Sequence, residues 1–106
     1  MEQDSKYKIE QKVIEKLKTV FDPEIPVNIY DLGLVYNIKI ERNGRVEIEM
    51  TLTSPNCPVA EILPIEVERK VISIAGVSDV HVEIVWDPPW SYDMMSDTAK
   101  LELGML

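Results

Sequence analysis

From Lys6 to Phe21 the apolar residues Ile9, Val13, Leu17, Val20 and Phe21 recur at steps of three and four, with lysines and glutamates between them. That period puts them on one face of an amphipathic helix, which Pro23 is expected to end. The stretch from Asp22 to Asp31 contains Pro23 and Pro26 and reads as a structured loop, leading through Asp31-Leu32-Gly33-Leu34 into a sheet. Strict alternation then predicts two strands. Tyr36, Ile38 and Ile40 face one way and Asn37, Lys39 and Glu41 the other, while Val46, Ile48, Met50 and Leu52 alternate with Glu47, Glu49, Thr51 and Thr53. Asn43-Gly44 between the runs predicts a hairpin closed by a type I′ turn.

A second helical pattern runs from about Val59 to Ala75, with Leu63, Val67, Val71, Ile74 and Ala75 on one side. Pro64 interrupts it, so the helix is expected either to kink or to begin its regular part nearer Ala60. Gly76 reads as a stop, and Val80, Val82, Ile84 and Trp86 alternate with Asp79, His81 and Glu83 in a third strand. Asp87-Pro88-Pro89-Trp90 must leave the sheet, and Ser96 is placed to cap a short last helix through Leu103, with Gly104 just past its end. The expected fold is α/β in the two-layer α+β sense: order α-β-β-α-β-α, a small three-stranded mixed sheet, helices on one face, one domain over 1–106. A helical crossover returns the chain parallel, so the third strand should run parallel to the second, with the arrangement split by the first strand preferred. Thr51 and Thr53 are expected to look outward or toward a loop.

At 106 residues the chain suits one domain with one modest core, burying roughly 65% of its unfolded surface. Its 19 acidic and 11 basic residues leave a net charge of −8, which argues against nucleic acid or an anionic membrane as partner. The opening residues are acidic and polar, so no signal peptide is expected, and no apolar run approaches a membrane span. A soluble protein of a reducing cytoplasm is the expectation.

Candidate chemistry centres on Cys57, the one cysteine present, at the junction of a strand pattern and a helical one. It cannot form an internal disulfide or a four-thiolate site, so a metal or cluster bound through it needs other residue types or a second chain. Iron in clusters favours thiolate, and a helix N-terminus stabilises thiolate, whereas the overall negative charge opposes it. The alternative is a small buried hydrophobe in a turn, and both readings stay open on the residues alone. Thr51 and Thr53 could line a pocket beside Cys57 or be ordinary strand threonines, and Asp22 and Glu24 could complete a ligand set, although Asp before Pro also caps turns. His81 has no second histidine and reads as a surface residue, so nothing supports Cys-His hydrolase chemistry. Trp86, Trp90, Tyr92, Met94 and Met95 form an aromatic and methionine-rich tail, either packing over the sheet edge or offering a docking or dimer surface.

Four blocks carry a family resemblance: DPEIPVNIYDLGLVY (Asp22 to Tyr36), MTLTSPNCP (Met50 to Pro58), VWDPPW (Val85 to Trp90) and MSDTAKLELG (Met95 to Gly104). In that order they resemble the SufT-like proteins of the metal–sulfur cluster biosynthetic family, which also includes PaaD-like proteins and a eukaryotic subunit of the cytosolic iron–sulfur targeting complex. The resemblance implies an iron–sulfur cluster assembly type of fold and a role in assembling, carrying or delivering clusters. It sets the family-type cysteine on Cys57 and the acidic loop on Asp22 and Glu24. PaaD-like proteins typically carry further cysteines in a C-terminal extension, which this chain lacks. A fused carrier ATPase would need a G-x-x-x-x-G-K loop, and none of Gly33, Gly44, Gly76 and Gly104 falls in one.

The resulting expectation is a non-enzymatic maturation factor. Cys57 transiently ligates an iron–sulfur cluster or iron, Asp22, Glu24, Thr51 and Thr53 line the site, and assembly proteins or apo-protein clients are the partners. Pairing with Cys57 of a second chain in a homodimer is one source of further ligands. The alternative is an adaptor that docks machinery or clients through an acidic and aromatic surface with Trp86, Trp90 and Tyr92, leaving Cys57 structural.

Overall fold

The helix-period residues Val13 and Leu17 are completely buried, and they hold the first helix, α1 (Glu2–Leu17), against the rest of the molecule. The computed structural model describes the backbone of residues 2–22, 25–53 and 57–104, and the side chains of all these but 2–5 and 57–61. α1 stops four residues short of the expected Phe21. The Thr19 hydroxyl donates to the Lys16 carbonyl at 2.6 Å, and the Val20 carbonyl accepts the Ile29 N–H at 2.9 Å. The loop from 20 to 29 thus folds back on itself, with Phe21 and Asn28 forming an isolated antiparallel bridge. Val20 stays in the core while Phe21 turns to solvent.

β1 (Val35–Ile40) and β2 (Arg45–Met50) form the expected antiparallel hairpin, with Ile38 opposite Ile48 and Ile40 opposite Val46. Its turn is not type I′. Among the described residues only glycines have positive φ, so Asn43 does not enter the left-handed region, while Gly44 does at 88°. The Gly44 N–H reaches the Glu41 carbonyl at 3.0 Å and the Glu41 N–H reaches the Arg45 carbonyl at 2.8 Å. This is a three-residue loop ending in a left-handed glycine, another favoured hairpin closure. Asn43 contributes through its side chain, whose carbonyl oxygen accepts the Arg45 N–H at 3.1 Å. Gly44 also packs on the Gly76 carbonyl, where no Cβ would fit.

α2 (Cys57–Ile72) begins slightly earlier and ends earlier than its apolar pattern suggests, and Pro64 lies inside it. Having no N–H, Pro64 leaves the Ala60 carbonyl without its usual donor four residues on. Burial of Leu63, Val67 and Val71 on one side of α2 offsets that loss. β3 (Asp79–Ile84) then pairs parallel with β2, Val46 beside Val80 and Ile48 beside Val82. The sheet order is β1-β2-β3, so β2 is central.

The parallel sense of β3 is as expected, but the split order with β1 in the middle is corrected. The crossover through α2 lays β3 directly beside β2, and the Val85 N–H extends that pairing to the Met50 carbonyl at 2.8 Å. β1 also has edge character: its register shifts between Val35 and Asn37, and its outward Lys39 is exposed. Central position explains burial. Val46, Ile48 and Met50 of β2 are fully covered, whereas Ile38, Ile40, Val82 and Ile84 of the edge strands are only partly so. Asn37, Lys39, His81 and Glu83 point into solvent on the opposite face.

Past β3, a 3-10 turn (Tyr92–Met94) precedes α3 (Asp97–Glu102). Ser96 caps α3 as expected, its hydroxyl accepting the Ala99 N–H at 3.1 Å, and Gly104 beyond the end has φ of 74°. Among the described residues no helix is long and apolar enough to cross a membrane.

Candidate functional site

The carboxyl ends of the parallel strands β2 and β3, the start of β1 and the amino end of α2 all lie at one end of the sheet. Crossover geometry requires this, and such ends are where open sheets with helical crossovers place their sites. Cys57 is the first residue of the 16-residue α2. There the backbone N–H groups have no intrahelical acceptor and the helix carries partial positive charge, a setting that favours thiolate. The Cys57 side chain lies outside the described residues, as does all of Glu24.

Thr51, expected to look outward or toward a loop, is 1% exposed. Its N–H donates to the Leu34 carbonyl at 2.8 Å, which draws the strand end inward under the 29–34 segment. Its hydroxyl sits beside that of Tyr36. Thr53, two residues on, is half-buried. Asp22 is buried too, and its Oδ1 accepts the Ile25 N–H at 3.1 Å, so its carboxylate closes the turn that follows.

Sequence reasoning missed Tyr36. It read as one more inward strand residue, but the bulge at the start of β1 re-aims it. Its hydroxyl donates to the Pro88 carbonyl at 2.7 Å and lies 3.5 Å from the Met94 sulfur. Burial raises its pKa above the ordinary 10.0; the neighbouring Thr51 hydroxyl pulls the other way and the Asp87 charge raises it further. No signal in the sequence marked this residue, since its partner lies 52 positions away.

The aromatic tail divides. Trp90 is half-buried and its indole N–H donates to the Leu32 carbonyl at 2.6 Å, while its ring meets that of Tyr92 edge-on at 5.2 Å. Trp86 and Tyr92 are 50% and 55% exposed. Gly33, at φ 81°, lies so close to the Met94 carbonyl that any Cβ would collide with it. The 28–34 segment therefore fastens the 86–96 segment over this end of the sheet. His81 is on the exposed outer face of β3, remote from this cluster in register. Among the described residues no three His, Cys, Asp or Glu side chains gather as a metal site.

The family model for iron–sulfur cluster assembly proteins matches residues 10–84. An Fe-S protein maturation auxiliary factor of Porphyromonas gingivalis is 50% identical over 97 residues, covering 92% of each chain. The Fe-S protein maturation auxiliary factor SufT of Staphylococcus aureus is 42% identical over 86 residues, 81% of this chain and 98% of that one. Among solved structures, a domain of unknown function, DUF59, from Bacillus anthracis superposes with a TM-score of 0.87 at 40% identity, covering 98% of this chain and 99% of that one. With most of its length matched by the family model and these relatives matched nearly end to end, the chain belongs to the iron–sulfur cluster assembly protein family, among its SufT-like members.

Proposed function

We propose that this protein is an auxiliary factor in iron–sulfur protein maturation, in which Cys57 transiently ligates a cluster or iron and passes it to an apo-protein. The observation that carries the reading is the position of Cys57 as the first residue of a long helix, at the strand-end face where the loops converge. The similarity to the Fe-S protein maturation auxiliary factors of Porphyromonas and Staphylococcus supports the maturation role. Cluster exchange requires a site that binds without holding fast. One thiolate per chain leaves coordination to be completed by whichever protein receives or donates the cargo. No nucleophile and base need be assembled for this, so the protein acts without turnover chemistry of its own. In this reading Thr51 and Thr53 form the wall beside Cys57, Asp22 and Glu24 are the acidic residues that join the ligand set, and a second chain is one supplier of the missing thiolate.

The test is anaerobic reconstitution of wild type and Cys57→Ser, read by visible absorption, iron and sulfide content, and native mass. Chromophore and iron that disappear with the thiol support cluster carriage, and the native mass reports whether two chains share one cluster. A colourless wild type sinks direct carriage by the isolated protein.

A second reading is favoured by the exposure of Trp86 and Tyr92. Aromatic side chains half open to solvent are what docking surfaces use. As an adaptor, the protein would hold assembly proteins or clients through this segment, together with Trp90, with Cys57 structural. Cys57→Ser would then be silent and Trp86→Ala would disrupt complexes.

A further inference from the structure

Met94 stands apart from the other methionines whose side chains are described. Met50 is completely buried and Met95 is 4% exposed, whereas Met94 is half-buried and follows the exposed Ser91, Tyr92 and Asp93. Its sulfur also has a polar neighbour. The Tyr36 hydroxyl lies 3.5 Å from Met94 Sδ while donating to the Pro88 carbonyl at 2.7 Å. A phenol has one proton to donate, and a thioether is a weak acceptor, so the carbonyl holds the bond and the sulfur waits beside it. That bond ties β1 to the start of the 86–96 segment.

Oxidation of the sulfur inverts that order. A thioether lone pair attacks one oxygen of a hydroperoxide, the S–O bond forms as the O–O bond breaks, and the departing oxygen takes the attacked oxygen's proton, leaving as water when the oxidant is hydrogen peroxide. Sulfur gives up two electrons and the peroxide accepts them, which turns an apolar side chain into a polar sulfoxide. The new oxygen is a strong acceptor, one bond from a sulfur that already neighbours the Tyr36 hydroxyl. Pro88 is exposed, so water can replace the proton that its carbonyl gives up. We infer that Met94 is a reversible oxidation site for hydroperoxides, whose sulfoxide draws the Tyr36 hydroxyl off the Pro88 carbonyl and releases the 86–89 stretch from β1. Trp90 and Ser96 keep their bonds to Leu32 and Asp31, which confines the release to the start of the segment. The inference goes beyond cluster carriage and stands whether or not Cys57 binds metal.

The full chain, as wild type and as Cys57→Ser, is treated with limiting hydrogen peroxide, and oxidation at each methionine is followed by peptide mass spectrometry. Met94 sulfoxide should form at least about fivefold faster than sulfoxide at Met50 or Met95. Cleavage by dilute proteinase K within 86–90 should then rise at least about threefold, and return to its starting rate after treatment with methionine sulfoxide reductases of both epimer specificities. Cys57→Ser should behave in the same way, since the thiol is not the target. Met94→Leu should show no rise under peroxide, and Met94→Gln, which sets a carbonyl oxygen near the sulfoxide position, should be cleaved faster without it. Tyr36→Phe should start at the faster rate and gain nothing from peroxide. Oxidation of Met50 or Met95 as fast as Met94 overturns the inference. So does cleavage that Met94 sulfoxide leaves unchanged, a rise that persists in Met94→Leu, or one that vanishes in Cys57→Ser.

Discussion

The Ser96 hydroxyl donates to Oδ1 of Asp31 at 3.2 Å while accepting the Ala99 N–H at 3.1 Å, and the Ser96 N–H donates to the Asp31 carbonyl at 2.8 Å. One serine thus caps α3 and fastens it to a loop 65 residues earlier. Asp31 is itself held by Asn28, whose side chain both donates to Oδ2 at 2.8 Å and accepts the Asp31 N–H at 2.9 Å. Ser96→Ala should lower unfolding free energy by about 1–2 kcal/mol, at the upper end for a lost cap because a tertiary bond goes with it. Urea denaturation measures this, and a change under about 0.3 kcal/mol would deny the link any weight.

Gly33 and Gly104 offer a matched comparison of positive φ with and without crowding. Gly33→Ala drives a Cβ into the Met94 carbonyl, whereas Gly104→Ala meets nothing within 4 Å among the described residues. Gly104→Ala should cost about 1 kcal/mol from backbone strain alone. Gly33→Ala should cost at least about 2–3 kcal/mol and loosen the 86–96 segment. Limited proteolysis at that segment distinguishes the two variants, and equal costs would refute the close packing.

Trp86 and Trp90 are the two tryptophans, one half open and one hydrogen-bonded to the Leu32 carbonyl. Trp90→Phe should destabilise by about 1–2 kcal/mol, since it leaves that carbonyl without its donor. Trp86→Phe should change stability by less than about 0.5 kcal/mol and remove most of the acrylamide-quenchable fluorescence. Unchanged quenching would place Trp86 under cover.

Tyr36 makes stability depend on alkaline pH. Its pKa is raised by burial, opposed by Thr51 and reinforced by Asp87, so the folded state holds its proton more tightly than the unfolded state does. The contribution is complete below the ordinary value of 10.0 and is lost as pH rises through the higher folded value. Wild type should therefore lose stability above about pH 10 more steeply than Tyr36→Phe. Urea midpoints from about pH 8 to about pH 11 test this, and parallel curves would remove Tyr36 from the account.

Much of this was legible in the sequence because it is local. Periods of 3.6 and 2 located both long helices and all three strands, and Ser96 and Gly104 bounded α3 by capping chemistry that acts over a few residues. The hairpin was readable but its turn was not, because Asn43 satisfies Arg45 through its side chain and needs no left-handed backbone. Cys57 was marked as the junction residue, and the helix start at that position agrees.

Strand order, the burial of Thr51 and the re-aiming of Tyr36 were decided only in three dimensions. Periodicity says which face of a strand is apolar but not which strand lies beside it. That choice fell to the crossover through α2 and to the edge character of β1. Val20 and Phe21 show the same division. Both fit the helical pattern, yet the 20–29 loop takes them by backbone bonds to Ile29 and Asn28, and contacts across that span beat a local preference worth a few tenths of a kcal/mol per residue. Hydrophobic period determined what could be buried; the pairing of distant backbone and side-chain groups decided where the first helix ended and which strand lay beside which.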